Sequence, residues 1–187
     1  MKEPTMLYRV NPIASRAWCA LALCSLTLVA APQARAASAD ANASATVIRP
    51  IAITADNASP LSFGNIVAGG GGTVVIDAAA SPTPVLTGVT RPGTQVGTIS
   101  AAKFDVSGEG GFTYAITLPA AARTLTSGSD TMSVASFTSS VGATGTLSGS
   151  LGSAGTQSFY VGGTLTVVSA QAAGTYVGTV PVSVDYN

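Results

Sequence analysis

GTYVGTVPVSVDYN, residues 174–187, alternates apolar and polar side chains. Val180, Val182, Val184 and Tyr186 fall on one face; Pro181, Ser183 and Asp185 fall on the other. Period-2 alternation marks a half-buried β-strand. A chain end that buries one face is tied down, whereas an unanchored one frays. Burying a large apolar side chain stabilises a fold by about 1.5–3 kcal/mol. Four such side chains on one face make this segment a wall of the core, and its removal is expected to prevent stable folding.

The same grammar recurs upstream. Strand-like runs occupy residues 46–54, 72–78, 84–90, 97–108, 111–119, 131–139 and 157–169, separated by Gly, Pro, Ser, Asn and Asp. These are the residues that turn chemistry requires. About eight or nine short strands with turn signals roughly every ten residues predict an all-β sandwich or barrel. One helical turn at most is expected, at PAAART (119–124). AGGGG at 68–72 precedes a strand, so it reads as a hairpin turn; a phosphate cradle would open a helix. Gly162 and Gly163 read either as a two-residue hairpin turn or as a bulge. Residues 124–157, rich in Ser, Thr and Gly, read as one strand followed by a long mobile loop or weak hairpin. Pro50 and Pro181 place the first and last strands at sheet edges, because proline donates nothing to a central ladder.

The first 36 residues read as a cleaved secretory signal peptide. Lys2, Arg9 and Arg16 precede the apolar run AWCALALCSLTLVAA, and Ala34 and Ala36 form an A-x-A exit. The run is shorter than the roughly 20 apolar residues of a membrane span, so no transmembrane span is expected after cleavage. Leu23 stands where a lipoprotein signal ahead of Cys24 needs a small residue. The leader takes Cys19, Cys24 and Trp18 with it, leaving residues 37–187 without Cys, His or Trp. Residues 37–46 read as a flexible extension and 47–187 as a single domain.

Four basic residues (Arg49, Arg91, Lys103, Arg123) and seven acidic ones remain after cleavage, a net charge of −3. With no basic stripe, nucleic acid is not an expected partner. Without His or Cys the usual general base, thiol nucleophile and zinc ligands are missing. No G-x-S-x-G elbow or calcium-loop spacing is present. Asp105 and Glu109 are the closest acids and read as solvated turn charges, although a carboxylate pair is also the equipment of a glycosidase. The expectation is a non-enzymatic protein with no cofactor and no metal. Tyr114, Tyr160, Tyr176 and Tyr186 read as core residues with rim hydroxyls; the competing reading is a sugar-stacking platform. The sequons at Asn42 and Asn57 matter only in a eukaryotic secretory pathway.

Three stretches, LSFGNIVAG (61–69), FYVGGTL (159–165) and AGTYVGTVPVSVDYN (173–187), together resemble the bacterial domain-of-unknown-function 4402 family. They are more distantly similar to spore coat protein U and archaic chaperone–usher pilin domains. The residues that carry the resemblance are Leu61, Phe63, Gly64, Gly162, Gly163, Gly174, Tyr176, Val182, Val184 and Tyr186, and it extends over about Val47 to Asn187. It implies an immunoglobulin-like antiparallel β-sandwich exported to the periplasm, cell surface or medium, as a fimbria-like subunit that associates through strand edges. The partners expected are copies of itself or a periplasmic chaperone. The candidate donor is the extension, where Ala39, Ala41, Ala43, Ala45 and Val47 share one face. The alternative is a monomeric secreted module that binds carbohydrate or an envelope partner through residues 138–157.

Overall fold

Strands begin and end in this chain where alternation meets a turn residue. The computed structural model describes residues 35–187, so the apolar run of the expected leader lies outside the described residues. Along the described chain the strands are β1 (Ala52–Ala55), β2 (Ser62–Phe63), β3 (Gly72–Ile76), β4 (Val85–Thr87), β5 (Ile99–Ser100) and β6 (Ala102–Glu109). They continue with β7 (Thr113–Thr117), β8 (Arg123–Ser127), β9 (Asp130–Ser139), β10 (Thr144–Thr146), β11 (Ala154–Val167) and β12 (Ser183–Tyr186). Every strand pairing is antiparallel. Residues 35–50 are exposed and carry no regular element; Ala45–Asn187 forms one compact unit.

β11 is the spine. Val161 pairs with Ala102 of β6 and with Ser139 of β9, so those two strands lie on opposite edges of β11. β3 pairs with residues 163–167 on the β6 side, and β1, β4 and β8 extend the sheet to seven strands. Phe159, Val161, Leu165 and Val167 of β11 are buried, while Thr156, Ser158 and Thr166 are exposed. This alternation gives the spine one apolar and one hydroxylated face. A three-stranded sheet, in the order β10-β7-β12, covers the first half of the apolar face. There Tyr114, Ile116 and Val184 pack with Phe104, Val106, Leu147, Phe159 and Val161, and the Phe104 and Phe159 rings stack at 5.5 Å. Over the second half, Phe63, Val74, Ile76, Val134, Leu165 and Val167 form another cluster beside the two-stranded β2-β5 ribbon. The architecture is an all-β antiparallel sandwich.

Three expectations are corrected. Residues 124–157 are not one strand and a loose loop: β8 and β9 form a tight hairpin, and β10 joins the small sheet. The hairpin turns at Gly128 (φ 61), with Ser129 at negative φ. That pattern is a type II′ turn, which matches strand twist. Threonine is β-branched, and on a strand with one exposed face it supplies the polar half of the alternation; composition alone makes it look like a loop. The helical turn at 119–124 does not form, because Arg123 and Thr124 already belong to β8. Among the described residues the strands number twelve against the eight or nine expected, since run 97–108 divides into β5 and β6 and residues 123–146 hold β8, β9 and β10.

Gly162 and Gly163 face a bulge, not a hairpin turn. The β11–β9 register slips between Gly162 and Thr164, and the extra residue lies on β9 beside Ser136, whose φ is 52°. A Cβ at Gly163 would meet the Phe137 ring at 3.1 Å, and one at Gly162 would collide with the Ile76 carbonyl. The glycines let the neighbouring chains approach the spine closely.

Candidate strand-pairing site

β12 and β1 are the edges that the prolines foretold. The Asn187 N–H donates to Thr113 O at 3.2 Å, which makes Asp185 and Ser183 the residues bonded to β7. By the alternation of an antiparallel ladder, the backbone groups of Val182, Val184 and Tyr186 point away from β7. Likewise the Asp56 N–H donates to Lys103 O at 2.9 Å, so Thr54 and Ala52 bond β6 while Ile53 and Ala55 point away. Such outward-facing donors and acceptors are a template for another strand.

A polar latch links these edges. The Tyr186 hydroxyl accepts the Glu109 N–H at 2.6 Å and donates to Arg49 O at 2.9 Å. The Glu109 carboxylate accepts the Arg49 N–H at 3.1 Å, the Arg49 Nη1 at 3.0 Å and the Gly152 N–H. Glu109 is only 1% exposed, the single buried charged residue among the described residues. The Arg49 and Gly152 N–H groups hold its carboxyl below the usual carboxylate range; the Arg49 guanidinium adds to this and burial opposes it. The expectation of two solvated turn charges is therefore corrected for Glu109. Asp105 stands on β6, bonded by Ser158 and Lys103 and likewise held low, first by the serine hydroxyl. The two acids face different partners and form no paired-carboxylate site.

Farther along the sandwich, the chain segments that precede β12 and follow β1 separate. Between Leu61–Ala68 and Gln171–Gly178 lies a groove of about 870 Å³, with Leu61, Phe63, Ile66, Leu125, Met132 and Leu165 among its lining residues. One wall is pinned by a double hydrogen bond between Val177 and Thr126 of β8, at 2.8 and 3.0 Å. Tyr176 steadies the same wall, its hydroxyl donating to Ala172 O and accepting Gln171 Nε2, both at 2.8 Å. The other wall turns at Gly64, whose φ of 69° favours glycine and where a Cβ would overlap the Val96 carbonyl.

The motif residues thus divide by position. Leu61, Phe63, Gly64, Gly174 and Tyr176 line the groove; Val182, Val184 and Tyr186 continue its edge into the small sheet; Gly162 and Gly163 lie on the spine. The tyrosines form no single platform: Tyr114 is fully buried with its hydroxyl on Gln157 Oε1 at 2.8 Å, and Tyr160 packs against the other cluster. Sequence reasoning missed Glu109, Arg49 and Gln171 as anchors. A buried acid inside the Gly-rich SGEGG carries no periodic signal that distinguishes it from a turn acid.

Among the described residues no group of three His, Cys, Asp or Glu side chains is placed to hold a metal, and no helix is long and apolar enough to cross a membrane. No curated protein and no solved structure matches the chain. A family model does, over residues 51–186, which span β1 through β12 and every motif residue above. The chain belongs to the family described as Domain of unknown function (DUF4402).

Proposed function

We propose that the protein is an exported, non-enzymatic structural subunit that assembles by strand addition. A segment of one copy lies in the groove between Leu61–Ala68 and Gln171–Gly178 of another. The observation that carries this reading is an apolar-lined groove that lies along the sandwich from two edges whose backbone groups face outward, in a chain that also presents an exposed, alternating segment. Val47 is 95% exposed and residues 37–46 are exposed throughout. In β-augmentation, main-chain hydrogen bonds supply affinity and alternate side chains fill pockets. Ala39, Ala41, Ala43 and Ala45 are small, so the pairing relies on the backbone ladder more than on buried area. A periplasmic chaperone fits the same edge as a transient occupant.

Residues 37–187 contain no cysteine, which permits a clean test. Cysteines at Ala43 and Thr175 are expected to give a disulfide-linked ladder of oligomers on oxidation of the exported protein, whose N-terminus mass spectrometry should place at Ala37. Genes for a chaperone and an outer-membrane usher beside this one would support the same reading. Monomers alone in the oxidised sample, with size-exclusion chromatography also monomeric, would refute it.

A further inference from the structure

The side chain of Arg91 is left without a counterpart. Its Nε, Nη1 and Nη2 atoms are shielded from solvent, and none has a hydrogen-bond partner among the described residues. Lys103 sits between Asp56 and Asp105, and Arg49 grips Glu109. A guanidinium carries five donors in a planar fork, and donors shielded from water without a partner are costly. The desolvation is strong enough to lower its pKa from the ordinary arginine value. Buried polar groups are nearly always satisfied, so such an exception calls for an occupant.

The surroundings suit one. Nη1 lies at the Gly64 turn, 2.8 Å from where a Cβ on Gly64 would stand, so the glycine leaves the end of the fork uncrowded. Residues 93–98 are all exposed, and Val96 brings its carbonyl to the same Gly64 turn. They are fastened by Asn65, whose N–H donates to Val96 O at 2.7 Å and whose Nδ2 donates to Gln95 O at 2.8 Å. A third hydrogen bond, from Ser62 Oγ to Thr98 O at 2.7 Å, completes the fastening of this strap, in which Gly93 and Gly97 lie.

We propose that Arg91, at the Gly64 turn that the 93–98 strap also reaches, is the cationic half of an oxyanion site that takes two coplanar oxygens, as a carboxylate or phosphate presents. Planar bidentate recognition is what arginine does best. The oxyanion has two possible sources: a free anion, or the carboxylate of Asp40 in another copy's extension, which would lock an inserted strand against the groove wall. The site itself does not depend on assembly.

The test compares the purified protein with its Arg91→Met variant by thermal melts in chloride, phosphate and acetate at equal ionic strength. A saturable rise in Tm with phosphate or acetate, absent in the variant, is expected from binding to the folded state alone. Synthetic peptides of residues 37–48, with Asp40 and with Asp40→Asn, identify the source: stabilisation by the first peptide alone assigns it to the chain, and by phosphate alone to a free anion. Equal responses of the two proteins to every anion and peptide overturn the proposal. Should Arg91→Met fail to fold, the arginine Nε resonances of the wild-type protein decide between two outcomes: one moves on titration with phosphate or peptide, as the site requires, or none does and the site is refuted.

Discussion

Replacing Tyr186 by Phe removes one oxygen atom and leaves the ring against Phe112, with centroids 5.7 Å apart in an edge-on contact. That oxygen closes the latch, accepting from Glu109 N and donating to Arg49 O. The two bonds are unequal in consequence. Arg49 is exposed, so its carbonyl regains water when the hydroxyl goes. The donor at residue 109 is enclosed and does not. A buried donor left without an acceptor costs about 1–3 kcal/mol. For a domain of this size each kcal/mol shifts Tm by roughly 2–4 °C, so Tyr186→Phe is expected to lower Tm by about 2–12 °C. Urea denaturation should show the same loss with an unchanged m-value, since the surface exposed on unfolding is the same. A loss below about 0.5 kcal/mol, the scale of ordinary surface substitutions, would mean that the enclosed N–H finds another partner and that the latch does not hold the edges together.

Glu109→Gln should alter the pH profile of stability. A carboxyl held low in the folded state stabilises the fold above its unfolded pKa, and that contribution disappears as pH falls through the folded value. The wild type should therefore lose more stability than the variant in acid melts below the usual carboxylate range; parallel curves would refute the role of the carboxylate. Phe63→Ala should cost about 3–5 kcal/mol by chemical denaturation, as cavity formation under the groove demands, and a loss under about 1 kcal/mol would place Phe63 outside the core. Deleting residues 179–187 should abolish the cooperative melt, because Val184 and Tyr186 leave the small sheet and the latch together; a truncated protein that melts like the parent would show that β12 does not close the sandwich. Deleting residues 37–45 should leave the melt unchanged and affect only association by size-exclusion chromatography, and an unfolded product would make the extension part of the fold.

The legible parts of this sequence are those where burial imposes a period. Val182, Val184 and Tyr186 alternate with polar residues because their face packs with Tyr114 and Ile116; Val184 is buried while Ser183 and Asp185 are exposed, and Val180, ahead of β12, lies outside that cluster. The first and last strands are sheet edges as expected, but Pro50 and Pro181 lie just ahead of them, where the ladders have not yet begun. β8 and β9 were obscured because their exposed face is built from Thr and Ser, the residues that also populate loops. Gly162 and Gly163 announced an irregularity, but the extra residue lies on the partner strand at Ser136, which no local pattern reveals. Glu109 and Arg91 were beyond reach for a different reason. Their environments are assembled from segments far apart in sequence, Glu109 from residues 49, 109 and 152 and Arg91 from residues 64, 91 and 96.

The hydrogen bond from Tyr186 to Arg49 joins positions 137 residues apart. The chain enters the sandwich and completes its last strand at the same corner. Mechanically, a pull applied across those two points loads one hydroxyl and one ion pair before it strains any strand ladder, so the domain should yield by unzipping at this corner under low force. A pull transmitted through a strand lodged in the groove is different, because it runs parallel to the neighbouring strands and shears many backbone bonds at once. A fibre of such domains would be stiff along its axis only if load passed through inserted strands. The same corner makes the domain a natural candidate for circular permutation, since a few residues joining Asn187 to Arg49 would replace the latch with a covalent bond.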